Sequence, residues 1–180
     1  MGQERGDLDA FRHAMLPHMD AVYAYARFLS RDPIAAEDLA QDAYLRAFRS
    51  FSGYRGGNAK SWLLAIVRTC FLDWTRRRGG HEAEPAWEGD EDPAAAVADG
   101  ADTPEEALIR AADATALRRA VDGLPEPFRE TLVLRELEEM SYREIGDLMN
   151  VPLGTIMSRL ARARRMLSRM LTASLAGGDD

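Results

Sequence analysis

A strongly acidic segment divides this chain into two parts. Residues 79–103 contain eight Asp and Glu residues and no Lys or Arg, and they are rich in Ala, Gly and Pro. A segment of this composition buries too little apolar surface to offset the entropy that it would lose on ordering. We therefore predict a flexible acidic linker at 79–103 between two small domains, at 1–78 and 104–172, with a disordered tail at 173–180.

The overall composition is that of a globular protein. The chain has 180 residues, 46% of them hydrophobic, which is enough for packed cores. Its net charge is -7, and because the acidic segment contributes -8, the remaining residues sum to +1. No apolar run approaches the roughly 20 residues that span a bilayer, and the N-terminus lacks the apolar core of a secretory signal. We expect a cytoplasmic protein with no direct membrane contact.

The residue types of metal and catalytic sites are sparse. Cys70 is the only cysteine, so an internal disulfide and a cysteine-based zinc cluster are excluded, and the three His residues lack metal-ligand spacing. We find no nucleophile beside a base and no phosphate-binding glycine loop ahead of a helix. The sequence therefore predicts no metal, no cofactor and no enzymatic activity. Cys70 falls on an apolar helix face, where we expect core packing.

Three helices are predicted before the acidic segment. The first has apolar residues at spacings of three and four, namely Phe11, Met15, Met19, Val22 and Ala26. Asp32 can cap the second helix, with Pro33 in its first turn. A glycine-containing loop then leads to a third helix at about 59–77. Its apolar stripe comprises Trp62, Ile66, Cys70 and Trp74, with Leu63, Val67 and Phe71 on the adjacent stripe.

The third helix and the loop before it are basic. They carry six positive charges against Asp73 alone, at Arg55, Lys60, Arg68, Arg76, Arg77 and Arg78. Arginines bind phosphates, and aromatic rings stack on unpaired bases, so single-stranded DNA is a candidate ligand. The alternative for Trp62, Phe71 and Trp74 is that they are mostly core residues.

Two capping boxes organise the C-terminal part. Thr103 with Glu106 predicts the start of one helix, and Ser141 with Glu144 predicts the start of a short helix that Asn150 can end in the left-handed conformation. Between them, Leu124 and Pro125 form a turn, and a further helix is marked by Phe128, Leu132 and Leu137.

The last helix is amphipathic with one basic face. Its apolar stripe comprises Ile156, Leu160, Ala163, Leu167 and Leu171, and the opposite face comprises Thr155, Ser158, Arg162, Arg165 and Arg169. A short capped helix, a tight turn and a longer basic helix form a helix-turn-helix, whose second helix enters the major groove. Thr155, Ser158 and Arg162 would then face base edges. An ordinary bundle helix with a solvated basic face is the alternative.

Together these motifs resemble the bacterial RNA polymerase sigma factors, specifically the small extracytoplasmic-function (ECF) group with regions 2 and 4 only. The core-binding helix of that family is similar to "AEDLAQDAYLRAFRSF", and its minus-ten segment is similar to "YRGGNAKSWLLAIVRTCFLDWTRRR". Its minus-thirty-five domain is similar to "LPEPFRETLVLRELEEMSYREIGDLMNVPLGTIMSRLARARRML". The resemblance implies an all-α fold, with a helical bundle followed by a C-terminal helix-turn-helix domain.

The resemblance also implies roles for individual residues. Contact with core polymerase is implied for Asp38, Gln41, Asp42 and Leu45. Contact with the minus-ten element, including capture of a flipped base near Asn58 and Ala59, is implied for Arg55, Asn58, Ala59, Lys60, Arg76 and Arg77. Contact with the minus-thirty-five element is implied for Thr155, Met157, Ser158, Arg159, Arg162 and Arg165. The implied partners are bacterial core RNA polymerase, promoter DNA and an anti-sigma factor.

Met157 departs from the family pattern, which usually has Lys or Arg at this position. Met cannot donate a hydrogen bond, although its thioether can touch a thymine methyl group. We therefore expect an altered preference at one position of the minus-thirty-five element.

Two other classes of protein remain open. A polymerase-independent helix-turn-helix regulator would bind DNA tightly by itself, but it would leave the basic patch before the acidic segment without a use. A small enzyme or nucleic-acid-processing protein is a second alternative. Under the sigma-factor interpretation, the linker acids are expected to mask the basic patches of the free protein and weaken its DNA binding.

Overall fold

The computed structural model describes residues 2–79 and 112–176, and the side chains of 7–79 and 112–174. The chain divides into two compact units, Met1–Ala83 and Glu84–Asp180. Within the described residues all regular structure is helical, which confirms the all-α class with two helical domains. Apart from Gly79, the predicted linker lies outside the described residues, as does the capping box of Thr103 and Glu106.

The described part of the first unit, residues 2–79, contains four α-helices and two short 3₁₀ turns. The helices are α1 Gly2–Met15, α2 Met19–Ser30, α3 Pro33–Ser50 and α4 Ala59–Arg77, and the 3₁₀ turns are Leu16–His18 and Phe51–Gly53. As expected, Asp32 caps α3 by accepting a 2.9 Å hydrogen bond from the backbone N–H of Ile34. The packed centre is formed by α2, α3 and α4. Ala36, Ala43 and Ala47 on α3 are fully buried, and such small side chains let neighbouring helices approach closely.

The first predicted helix is in fact two helices. Pro17 lies in the 3₁₀ turn between α1 and α2, where its missing N–H interrupts the α-helical hydrogen bonds. The break shifts the helical phase, so the predicted core residue Met19 is 51% exposed, while Tyr25 is fully buried. Phe11, Met15, Val22 and Ala26 are buried as predicted.

The buried face of α4 is the second of the two predicted stripes together with Cys70 and Leu64. Its core residues are Leu63, Leu64, Val67, Cys70 and Phe71, whereas Trp62, Ile66 and Trp74 are only half-buried. Tertiary contacts with α2 and α3 select the face centred on Leu63 and Val67. Cys70 is fully buried, as predicted, and its burial raises the pKa of the thiol.

The described part of the second unit contains four helices. They are α5 Ala114–Asp122, α6 Glu126–Glu136, α7 Tyr142–Met149 and α8 Leu153–Ala176. The helices α5, α6 and α7 all pack against α8, whose predicted apolar stripe is completely buried. Leu137 is 66% exposed because α6 ends at Glu136. The helix α8 continues to Ala176, four residues into the predicted tail.

No helix in the described part of the chain is both long enough and apolar enough to span a membrane.

Candidate nucleic-acid interface

The loop before α4, residues 54–58, is called here the Gly56 loop. Gly56 and Gly57 have φ angles of +83° and +99°, which glycine adopts without the steric cost of a Cβ atom. The Tyr54 hydroxyl donates a 2.8 Å hydrogen bond to the Gly57 carbonyl. Asn58 ends the loop as the N-cap of α4, and its side chain accepts a 3.2 Å hydrogen bond from the Ser61 amide. The loop therefore has defined contacts on both sides of its glycines.

The residues predicted to contact the minus-ten element form two groups. Arg55, Asn58, Ala59 and Lys60 lie in the Gly56 loop and the first turn of α4, whereas Arg76 and Arg77 lie in its last turn. With a rise of 1.5 Å per residue, the two groups are roughly 24 Å apart along the helix. A DNA strand that contacted both groups would therefore follow the length of α4.

The last turn of α4 carries an exposed cationic cluster of Arg76, Arg77 and Arg78. The Arg78 guanidinium lies 4.7 Å from the centre of the Trp74 ring, and one Arg76 nitrogen is 3.4 Å from a carboxylate oxygen of Asp73. Positive charge at a helix C-terminus also interacts favourably with the helix dipole. The cluster is suited to binding phosphates.

The residues predicted to contact polymerase are brought together on one face of α3. Asp38, Gln41 and Leu45 are exposed and Asp42 is half-buried, at spacings of three and four. These four residues line a shallow groove of about 330 Å³ together with Leu39, Trp74 and Arg77. The set predicted to contact polymerase and the set predicted to contact DNA thus meet at Arg77, which belongs to both the groove and the cationic cluster.

Arg46 links these two sets. Its guanidinium donates a 2.7 Å hydrogen bond to Asp73 on α4 and lies 3.7 Å from Asp42 on α3. The hydrogen bond from Arg46, together with the positive charges of Arg46, Arg76 and Arg77, lowers the pKa of the Asp73 carboxyl group. Sequence reasoning missed Arg46; its i,i+4 spacing from Asp42 was visible, but its pairing with Asp73 across two helices was not.

The helix-turn-helix has the local geometry that the sequence predicts. The capping box of Ser141 and Glu144 is fully formed at the start of α7. Asn150 ends α7 in the left-handed conformation, with φ 56° and ψ 48°. Gly146 lies under the turn, where the Cβ atom of any other residue would be 3.1 Å from the Val151 carbonyl oxygen. Any larger residue at Gly146 would press on the turn that follows α7.

The residues predicted to contact the minus-thirty-five element all lie outside the buried apolar stripe of α8. Ser158 and Arg165 are exposed, and the remainder are half-buried, namely Thr155, Met157, Arg159 and Arg162. The Ser158 hydroxyl donates to the Thr155 carbonyl at 3.0 Å. Arg164 is fixed by a 2.8 Å ion pair with Glu136 on α6, which anchors α8 in its unit. The helix contains five arginines, between residues 159 and 169, and no acidic residue, so its middle part is cationic.

Comparison with known protein families assigns the class of this chain. The family description "Sigma-70 region 2" matches residues 15–80, and "Sigma-70, region 4" matches residues 114–167. The matches cover α2 to α4 and most of α5 to α8, the helices that carry the two candidate interfaces. The class is therefore that of a two-region sigma-70 protein.

Individual relatives define the group more narrowly. The chain is 39% identical over 155 residues to the ECF RNA polymerase sigma factor SigE of Mycolicibacterium smegmatis, covering 83% of this chain and 57% of that protein. It is 32% identical over 177 residues to the RNA polymerase sigma-H factor of Pseudomonas aeruginosa, covering 93% and 89% of the two chains. This chain belongs to the sigma-70 family of RNA polymerase sigma factors, in its extracytoplasmic-function group.

A solved structure is similar along nearly the whole chain. The sigma factor RpoE from Bartonella quintana, crystallised in complex with the anti-sigma factor NepR, matches with a TM-score of 0.68 and 27% sequence identity. The match covers 91% of this chain and 97% of that sigma factor.

Proposed function

We propose that this chain is a dissociable specificity subunit of bacterial RNA polymerase, which directs the core enzyme to promoters in the cytoplasm and performs no bond chemistry itself. The observation that carries the proposal is the placement of the two sigma-70 matches. Each falls on a helical unit with an exposed cationic surface, and the first unit adds an acidic groove.

The groove on α3 is the proposed contact with core polymerase. Asp38 and Asp42 offer carboxylates to cationic side chains, while Leu45, which is 54% exposed, offers apolar surface. In such an interface, burial of the apolar side chain contributes binding free energy, and the complementary charges at its edge orient the partner. Arg77 and Trp74 border the same groove, so polymerase bound there would lie directly beside the proposed DNA surface.

The surface of α4 is the proposed contact with the minus-ten element. The cationic cluster at its C-terminal end binds the phosphates of the non-template strand, and the Gly56 loop at its N-terminal end receives an extruded base. Extrusion costs a few kcal/mol of stacking and pairing free energy, and capture of the base offsets this cost. The two-ended arrangement of α4 thereby favours the melted state of the promoter over the duplex.

The helix α8 is the proposed contact with the minus-thirty-five element. Thr155, Ser158 and Arg162 face base edges in the major groove, and Arg165 binds backbone phosphate. The segment 79–103 connects the two DNA-binding units and limits the spacing between the promoter elements that they can read. By similarity to the Bartonella quintana complex, an anti-sigma factor is a further proposed partner.

In vitro transcription from a genomic fragment library, with purified core polymerase in the presence and absence of this protein, tests the proposal. We expect transcript starts that depend on the protein and share two short upstream motifs. If such starts are absent and the free protein binds discrete palindromic DNA sites, the protein is instead a polymerase-independent regulator.

A further inference from the structure

Tyr54 connects the Gly56 loop to an aromatic stack. Its ring is nearly parallel to that of Phe51, at 18° with the ring centres 5.8 Å apart, and it meets the Trp62 ring at 5.1 Å. Phe51 in turn packs edge-on against Phe11 of α1, at 5.2 Å. The side chain of Tyr54 therefore lies in a continuous aromatic array between α1 and α4.

The hydroxyl group of Tyr54 is directed back to its own loop. Its 2.8 Å hydrogen bond to the Gly57 carbonyl closes residues 54–57 into a compact turn. The next residue, Asn58, is held by its cap interaction with Ser61. The loop is thus fixed at Gly57 through a side chain that is itself immobilised by ring packing, and at Asn58 through α4.

The outer surface of this turn is open. A Cβ atom added to Gly56 or to Gly57 would meet no other atom within 4 Å. The glycines are therefore not required by close packing, and the outer face of the turn is accessible to a ligand. Both have positive φ, so without a contact that fixes the turn they would sample many other conformations.

We propose that Tyr54 is a positioning residue that pre-forms the Gly56 loop for capture of an unstacked DNA base. This inference rests on the proposed function and deepens it, because it names the group that holds the capture site in shape. A loop that is already ordered loses less conformational entropy on binding. Tyr54 acts on the ligand through the Gly57 carbonyl, whereas Asn58 is held by α4.

The test compares Tyr54→Phe with wild type in reconstituted holoenzyme. Tyr54→Phe keeps the ring stack and removes only the donor to Gly57. Two DNA probes are used. One is the intact non-template strand of a promoter whose transcript start has been mapped. The other is the same strand with a single abasic position, chosen as the one whose base removal most weakens binding of the wild-type holoenzyme. A hydrogen bond contributes about 0.5 to 1.5 kcal/mol, so we expect a loss of roughly threefold to tenfold for the intact strand. Affinity for the abasic strand and the salt dependence should stay unchanged.

Tyr44→Phe is the matched control. It removes a similar hydrogen bond, 3.0 Å from a tyrosine hydroxyl to the Met15 carbonyl, and keeps the ring that packs edge-on against Phe11, but it removes no bond within the Gly56 loop. This variant should retain wild-type discrimination between the two strands. Hydrogen exchange at residues 55–58 should accelerate in Tyr54→Phe and remain unchanged in Tyr44→Phe.

The outcomes separate the two proposals. Suppose that the wild-type holoenzyme binds the intact strand more tightly than the abasic strand. If Tyr54→Phe shows the same preference, or if it loses the same affinity for both strands, the role of Tyr54 is rejected and the proposed function stands. If wild-type holoenzyme does not discriminate at any position, base capture by this chain fails, and the role of Tyr54 fails with it.

Discussion

Arg46 on α3 and Asp73 on α4 form a 2.7 Å hydrogen-bonded ion pair between the helix that carries the groove residues Asp38 and Asp42 and the helix that carries the cationic cluster. About a third of each side chain is exposed, at 36% and 32%, so solvent screens the pair. The pair therefore contributes only modestly to stability, but it fixes Arg46 between the groove acids and the cationic cluster.

Replacement of Asp73 by Asn should lower the free energy of unfolding of the first unit by about 1 kcal/mol at pH 7. The folded-state pKa of Asp73 is lowered from its ordinary value of 3.8, so its stabilisation is fully present above pH 3.8. It is lost as the pH falls through the folded-state pKa. Urea unfolding followed by tryptophan fluorescence at several pH values checks this. Asp9→Asn is the control, and a wild-type advantage that did not shrink as the pH falls below 3.8 would contradict the assignment.

Two glycine substitutions in the second unit should have opposite effects. Alanine at Gly146 increases helix propensity by about 1 kcal/mol. However, its Cβ atom would lie 3.1 Å from the Val151 carbonyl oxygen, and overpacking of this kind typically costs about 1–3 kcal/mol. We expect a net loss of about 1 kcal/mol and weaker minus-thirty-five binding. Gly123 has right-handed φ and ψ, and a Cβ atom added there would make contacts of 3.4 Å or longer. Gly123→Ala should therefore be neutral or stabilising.

Hydrogen exchange of α7 measures the effect of both glycine variants on the helix-turn-helix. A loss of 1 kcal/mol corresponds to roughly fivefold faster exchange through local opening. If the amides of α7 exchange at the same rate in Gly146→Ala and Gly123→Ala, the turn tolerates a methyl group at Gly146.

Met157→Arg should change the promoter preference at one minus-thirty-five position toward guanine. A bidentate arginine contact discriminates by about 1–3 kcal/mol, which Met cannot provide. Transcript mapping with both holoenzymes gives the two preference profiles. Ser174→Arg adds the same charge at the exposed far end of α8 and should leave the profile unchanged. If wild type and Met157→Arg have the same promoter preferences, residue 157 does not contact bases in the major groove.

Neutralising the linker should strengthen DNA binding by the free protein. If the eight acids of 79–103 are replaced by Ser and Gln, we expect a several-fold higher affinity for promoter DNA at low salt. The difference should shrink near 1 M salt, where the screening length is about 3 Å. A linker with the same residues in shuffled order is the control. Unchanged affinity at low salt would remove the masking hypothesis.

Much of this architecture follows from local sequence. The capping box at Ser141, the left-handed Asn150 and the amphipathic stripe of α8 depend on residues within one or two turns of each other, and all three are confirmed. The same holds for the Asp32 cap of α3. Helix caps and apolar stripes depend on residues that are close together in sequence, so they can be predicted without knowing which helices pack against each other.

The tertiary structure decided which apolar face is buried and which charges meet. Periodicity marked two adjacent apolar stripes on α4, one through Trp62 and Trp74 and one through Leu63 and Val67, but it did not say which would be buried. Packing against α2 and α3 buries Leu63 and Val67 and leaves both tryptophans only half-buried. The pairing of Arg46 with Asp73 joins two helices through residues that are 27 positions apart in sequence. Such contacts depend on the angle and distance at which whole helices pack against each other, and no local sequence pattern specifies that packing.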